Sequence, residues 1–149
     1  MDIVLRQVTD QDVWTFWANQ QDNRPEEATP VHREPFAARW RSLLDSPNAP
    51  IRTIVVGGQA VGYIAHFHRK DLPEISYELG RTHWGKGYAT AALRLFLEEI
   101  LVRPLYARAV KDNVASMRVL HKCGFAQVAE DRFTDATGRE REEFIFELR

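Results

Sequence analysis

Between residues 74 and 101 the apolar period of the chain switches from two to about 3.6, and a glycine pair marks the switch. Ile75, Tyr77 and Leu79 alternate with Glu74, Ser76 and Glu78, the pattern of a strand with one apolar and one polar face. Leu93, Phe96, Leu97, Ile100 and Leu101 recur at the spacing of an amphipathic helix, and Pro104 stops it. The link is Trp84-Gly85-Lys86-Gly87-Tyr88-Ala89-Thr90. Glycines here let the backbone approach a ligand closely and take positive φ. The helix that follows presents unpaired N–H groups and the positive end of its dipole. Together these form an anion cradle suited to phosphate, with Lys86 as an added charge; a plain connecting turn is the competing reading. A P-loop is excluded because Gly87, not Ser or Thr, follows Lys86, and a dinucleotide fingerprint because position 90 is Thr.

The rest of the chain supplies the other layers. Residues 2–8 read as a strand. Thr9 or Asp10 caps a helix carrying Val13, Trp14, Phe16 and Trp17. A polar loop with two prolines covers 20–32, and a second helix runs from Glu34 to about Leu44, with Phe36, Trp40, Leu43 and Leu44 along one stripe. Ile51–Val56 and Ala60–His68 form a hairpin about Gly57-Gly58, with Val61, Tyr63, Ala65 and Phe67 expected on one face. Leu105–Val110 is a strand. A helix from Asp112 or Asn113 to Lys122 ends at Gly124. Phe125–Ala129 and Phe144–Leu148 read as late strands joined by the charged stretch 135–142. The order β-α-α-β-β-β-α-β-α-β-β predicts an α/β fold, a mixed sheet with helices packed on it, in a single domain over 1–149. The strand–helix–strand from Ile75 to Val110 is expected as a right-handed crossover.

Composition narrows the function. Twenty basic against 21 acidic residues leave a net charge of −1, so no global nucleic-acid footprint exists. One cysteine, Cys123, excludes an intrachain disulfide and a cysteine-based metal cluster. No apolar run approaches membrane-spanning length and the first residues lack a signal-peptide core, so no membrane partner is expected and a cytoplasmic location is.

Residues 74–90, Glu-Ile-Ser-Tyr-Glu-Leu-Gly followed by Trp-Gly-Lys-Gly-Tyr-Ala-Thr, resemble motif A of the GNAT superfamily of acyl-CoA-dependent N-acetyltransferases. The motif is Gln/Arg-x-x-Gly-x-Gly/Ala; its first position here is Trp84, an aromatic as in the RimJ/RimL-like branch. Asn113 to Phe125, with Ser116, Lys122 and Gly124, resembles motif B. The resemblance implies a mostly antiparallel sheet with helices on both faces, splayed between its fourth and fifth strands. It implies acetyl-CoA as co-substrate, with the pyrophosphate on the N–H groups of Gly85, Lys86, Gly87, Tyr88, Ala89 and Thr90. It runs the pantetheine arm beside Leu79 and Gly80, within reach of Asn113 and Ser116. The acceptor implied is a primary amine, on a small molecule or at a protein N-terminus. A homodimer is common in the family.

Direct attack on the thioester needs a neutral amine, so a general base helps. Glu74 and Glu78 are the candidates; an exposed strand carboxylate is the plain reading of either. The oxyanion would meet a backbone N–H near Leu79. The family's usual acid, a tyrosine in motif B, is replaced by Leu120. Ser116 is the candidate in its place, with close packing as its plain reading. Asn113 reads equally as an N-cap. A non-catalytic acyl-CoA-binding module, or a phosphate-binding regulatory domain, is the alternative. His66 and His68 lack a third ligand, so no metal is expected, and Cys123 reads as packing. Trp14, Trp17, Phe36 and Trp40 read as core, or with Glu26 and Glu27 as the acceptor side.

Overall fold

The computed structural model describes residues 2–24, 32–46, 49–135 and 137–149. Its elements run β1 (Ile3–Gln7), α1 (Asp10–Asn23), α2 (Arg33–Leu44), β2 (Ile51–Val56), β3 (Gln59–Arg69) and β4 (Leu72–Leu79). A short 3-10 turn at Arg81–His83 leads to α3 (Tyr88–Glu99), β5 (Leu105–Val110), α4 (Val114–Lys122), β6 (Ala126–Thr134) and β7 (Glu140–Leu148). The seven strands lie in the order β1-β2-β3-β4-β5-β7-β6. Neighbours pair antiparallel except β4 and β5, which run parallel.

Apolar side chains bury on both faces of this sheet. On one, Ile64, Ile75, Leu79, Leu105 and Phe146 pack against Leu93 and Phe96 of α3 and Leu120 of α4. On the other, Ala65 and Ile51 pack against Phe16 of α1 and Phe36 and Trp40 of α2. Asp12 ties the α1 side together. Its carboxylate closes a capping box with Thr9, takes two hydrogen bonds from the Arg6 guanidinium at 2.6 and 3.0 Å and accepts from the Thr53 hydroxyl at 2.8 Å. Burial opposes that charge. The bonds from Arg6, Thr9 and Thr53 outweigh it and hold the carboxyl down at about 2.

The register places the opening that matters. β3 and β4 stay paired from Arg69↔Leu72 to Gly62↔Leu79, whereas β4 meets β5 at Glu74↔Tyr106. Beyond that pair the two parallel strands diverge, and the end of β4 faces a gap.

Three expectations need correction. Val61 does not share a face with Tyr63 and Ala65. β2 and β3 shift register between Ile54↔Gly62 and Val55↔Ala60. Val61 is the extra residue of that bulge, and its side chain joins the α3 side while Tyr63 and Ala65 face α1 and α2. Leu101 lies beyond the end of α3 and is exposed. β6 and β7 extend well into the charged stretch. There Arg132 bridges to Glu140 and Glu142 across the hairpin, so opposite charges replace the apolar alternation that marks a strand.

Candidate functional site

The glycine-rich link ends in a left-handed turn. Gly85 has φ +74° and Gly87, the N-cap of α3, has φ +80°. A side chain would strain that backbone, so glycine is what lets α3 begin there. No side chain among the described residues caps the helix, and its first-turn N–H groups have no intrahelical acceptor. They open into a groove of about 610 Å³, walled by Gly85, Gly87, Ala89 and Thr90 on one side, Asn113 and Ser116 of α4 opposite, and Tyr77, Glu78 and Leu79 at the end of β4.

Glu78 is where this groove meets a second cavity. That pocket holds about 220 Å³ on the α2 side of the sheet, between Phe36, Arg39 and Trp40 and the strand residues Tyr63, Ser76 and Glu78. The two cavities lie on opposite faces of β4, and Glu78 lines both. Burial raises the Glu78 pKa above its ordinary value, and the Asn23 amide beside it acts the other way.

Leu79 and Gly80 differ in what they offer. The Gly80 N–H donates to Val61 O at 3.0 Å and its carbonyl accepts from the His83 N–H at 2.9 Å. The Leu79 carbonyl accepts from Asn23 Nδ2 at 2.9 Å and from Trp84 Nε1 at 3.0 Å. Since Gly80 bonds to β3, the alternation of an antiparallel ladder turns the Leu79 N–H away from β3, toward the gap. Gly80 is therefore engaged at both ends, and Leu79 presents a donor. Asn23 Oδ1 is buried beside them and has no hydrogen-bond partner among the described residues.

On α4, the Asn113 side chain caps the helix by accepting the Ser116 N–H at 3.1 Å. Ser116 Oγ lies 2.9 Å from the Tyr77 hydroxyl, and either oxygen can donate. Burial raises the Tyr77 pKa. The sequence places Tyr77 only on the apolar face of its strand, with Ile75 and Leu79. The signal for its second role was its place one residue before Glu78 on a strand whose edge is open.

Glu74 is not part of this arrangement. It is 2% exposed, four residues down β4, and lines neither cavity. Its Oε2 lies 3.3 Å from Arg108 Nε and 3.3 Å from Arg69 Nε. A carboxylate held by two guanidiniums has its lone pairs committed, which removes Glu74 from the candidate bases. Lys86 is exposed and off the groove wall. Cys123 is half-buried, its pKa raised by burial, with Sγ 3.7 Å from Thr90 O; that is packing, not a nucleophile. His66 is buried with Nδ1 3.0 Å from Glu74 O. Among the described residues no group of three or more His, Cys, Asp or Glu could hold a metal ion. Trp14 and Trp17 are half-buried, with the Arg33 guanidinium 4.4 and 5.4 Å from their rings. Glu26 and Glu27 lie outside the described residues. Among the described residues no helix is long and apolar enough to cross a membrane.

Known proteins share this layout. A family model described as Acetyltransferase (GNAT) domain matches residues 2–126. An uncharacterized N-acetyltransferase p20 of Bacillus licheniformis is 30% identical over 80 residues, half of this chain and 45% of that protein; the match thus spans about half the length of this curated relative. Among solved structures, a ribosomal-protein-alanine N-acetyltransferase from Brucella melitensis superposes with a TM-score of 0.81 at 20% identity, covering 97% of this chain and 98% of its own. The microcin C7 self-immunity acetyltransferase, solved with acetyl-CoA and AMP, superposes at 0.80 with 16% identity, over 98% and 91%. GNAT acetyltransferases use acetyl-CoA. The seven-stranded sheet open beside β4, the glycine turn that starts α3 and the match over 2–126 agree, and the chain belongs to the GNAT acetyltransferase family.

Proposed function

We propose that this protein transfers the acetyl group of acetyl-CoA to a primary amine by direct attack. The observation that carries the reading is Glu78, a carboxylate on the wall of two cavities that open on opposite faces of one strand. One cavity has the donors an acyl-CoA needs. The N–H groups of the first turn of α3, with the positive end of its dipole, suit its pyrophosphate. Asn23 Oδ1, buried and unpartnered among the described residues, suits an amide N–H of the pantetheine arm. The other cavity is small and aromatic-walled, as befits the acceptor.

In this reading the amine enters from the α2 side and gives its proton to Glu78, directly or through one water. Its lone pair attacks the thioester carbonyl, and the Leu79 N–H faces the oxygen where charge develops. The attacking nitrogen loses its second proton to water, the C–S bond breaks and its electron pair stays on sulfur, which takes a hydrogen bond from the Ser116 hydroxyl. Trp84 supports the RimJ/RimL-like reading, and with it a protein N-terminal amine in the cytoplasm as one form of acceptor.

Two measurements test this. Acetyl-CoA should raise the melting temperature of the protein by mass action, more than ATP does. Thiol release in the presence of an amine panel should exceed the rate with acetyl-CoA alone. A thermal shift without turnover on any amine would favour an acyl-CoA sensor; no shift would remove the groove from consideration.

A further inference from the structure

The acceptor cavity is more specific than its place in the fold requires. Drug-sized ligands occupy about 300–1,000 Å³, so about 220 Å³ matches a molecule the size of an amino acid. Its walls are flat and apolar. Trp40 and Tyr63 stack edge to face at 4.9 Å, with Phe36 6.2 Å from Trp40.

Beside Gln20, His66 and Ser76, a carboxylate and a guanidinium line this cavity. Glu78 stands where the cavity meets the groove. Arg39, exposed on α2, also lines it and forms no salt bridge or hydrogen bond with any described residue. Tyr63 pairs with Glu78 across β3 and β4. Its phenol, pushed up to about 12 first by burial, also feels Glu78 in one direction and Arg39 in the other. The Tyr63 hydroxyl makes no hydrogen bond to the described residues, so it is available to a ligand. An exposed guanidinium on the wall of an aromatic slot, with no carboxylate partner among the described residues, favours an anionic group and repels a second cation. Because the amine must lie at Glu78 to be deprotonated and reach the thioester, the anion lies at the Arg39 end.

We infer that the acceptor is a free amino acid with an apolar side chain: its amine meets Glu78, its carboxylate meets Arg39, and its side chain lies against Trp40 and Tyr63. The inference rests on the acetyl-transfer reading and narrows it. It narrows the acceptor away from protein N-terminal amines, whose α-carboxyl is tied up in a peptide bond, and sets aside polyamines, whose second ammonium would face Arg39, and other amines lacking an anionic group.

The test compares L-phenylalanine and L-methionine with L-phenylalaninamide, phenethylamine and spermidine. Turnover is read by thiol release, and binding to the CoA-saturated protein by calorimetry. The free amino acids should show KM at least about tenfold below those of the amide and the decarboxylated amine, as one charge-assisted contact allows. Arg39→Gln should erase that preference, and Arg39→Glu should turn it toward the diamine cadaverine. Binding of L-phenylalanine that is lost in Arg39→Gln, without turnover of any amine, would uphold the cavity assignment while removing acetyl transfer. Amide, phenethylamine or spermidine serving as well as L-phenylalanine, a preference that survives Arg39→Gln, or no binding of either amino acid would overturn the inference, whatever other amine is acetylated.

Discussion

The Tyr77 hydroxyl on β4 lies 2.9 Å from Ser116 Oγ on α4, a hydrogen bond that spans the groove between a strand and a helix. If Tyr77 donates, the serine proton is free to turn into the groove. Ser116→Ala should then lower kcat about tenfold or more with KM for acetyl-CoA nearly unchanged, since the bond strengthens as charge develops on sulfur. Tyr77→Phe should do the same, more weakly. The double mutant should lose no more than Ser116→Ala alone, because Tyr77 acts through Ser116. Additive losses would separate the two residues.

Glu78→Gln should lower kcat at neutral pH by roughly 10²–10⁴-fold. The deficit should shrink as pH rises and the free amine populates. A base must be deprotonated, so wild-type activity should rise with pH through the Glu78 pKa, above the ordinary carboxylate range because the group is buried. Asn23 opposes that shift, so Asn23→Ala should move the limb to higher pH. A pH–rate profile of kcat/KM for the amine reads both effects.

At position 87 the backbone sits at φ +80° with open space where a Cβ would go. Asn and Asp tolerate this conformation better than other residues. Gly87→Asn and Gly87→Asp should therefore both fold. The charged variant alone should weaken acetyl-CoA binding by more than about tenfold, by placing a carboxylate where the helix start attracts an anion. Equal affinities by calorimetry would remove the pyrophosphate from that turn.

Asp12→Ala should destabilise the fold by roughly 2–4 kcal/mol in urea titration, through loss of the cap and of the partner of Arg6. The native carboxyl titrates at about 2, below its unfolded value near 4. Its contribution is thus full above about pH 4 and is lost as pH falls toward 2, about 2 kcal/mol in all. Asp12→Asn should flatten that part of the acid-denaturation curve.

Which parts of this arrangement could be read in the sequence follows from the range of the forces involved. The glycine turn before α3 and the caps at Thr9 and Asn113 were legible, because local backbone preference sets them. The alternation of Ile75, Tyr77 and Leu79 against Ser76 and Glu78 placed both faces of β4 correctly for the same reason. The choice between Glu74 and Glu78 was not legible. Both carboxylates share a face, and what separates them is Arg108, brought in from β5, and Arg69 from β3. The Val61 bulge was hidden because register is a property of two strands. Alternation puts Tyr77 on the apolar face of β4, but its hydroxyl gains meaning only when α4 brings Ser116 to it.

Glu78 stands on a strand that separates two cavities opening on opposite faces of the sheet. This has a consequence for kinetic order. A partition of this kind lets each substrate arrive and depart by its own door, so neither must leave before the other binds. Initial-rate plots against both substrates should intersect instead of running parallel, and no acetylated protein should accumulate when the amine is withheld. Free CoA and the amine should also occupy the protein together.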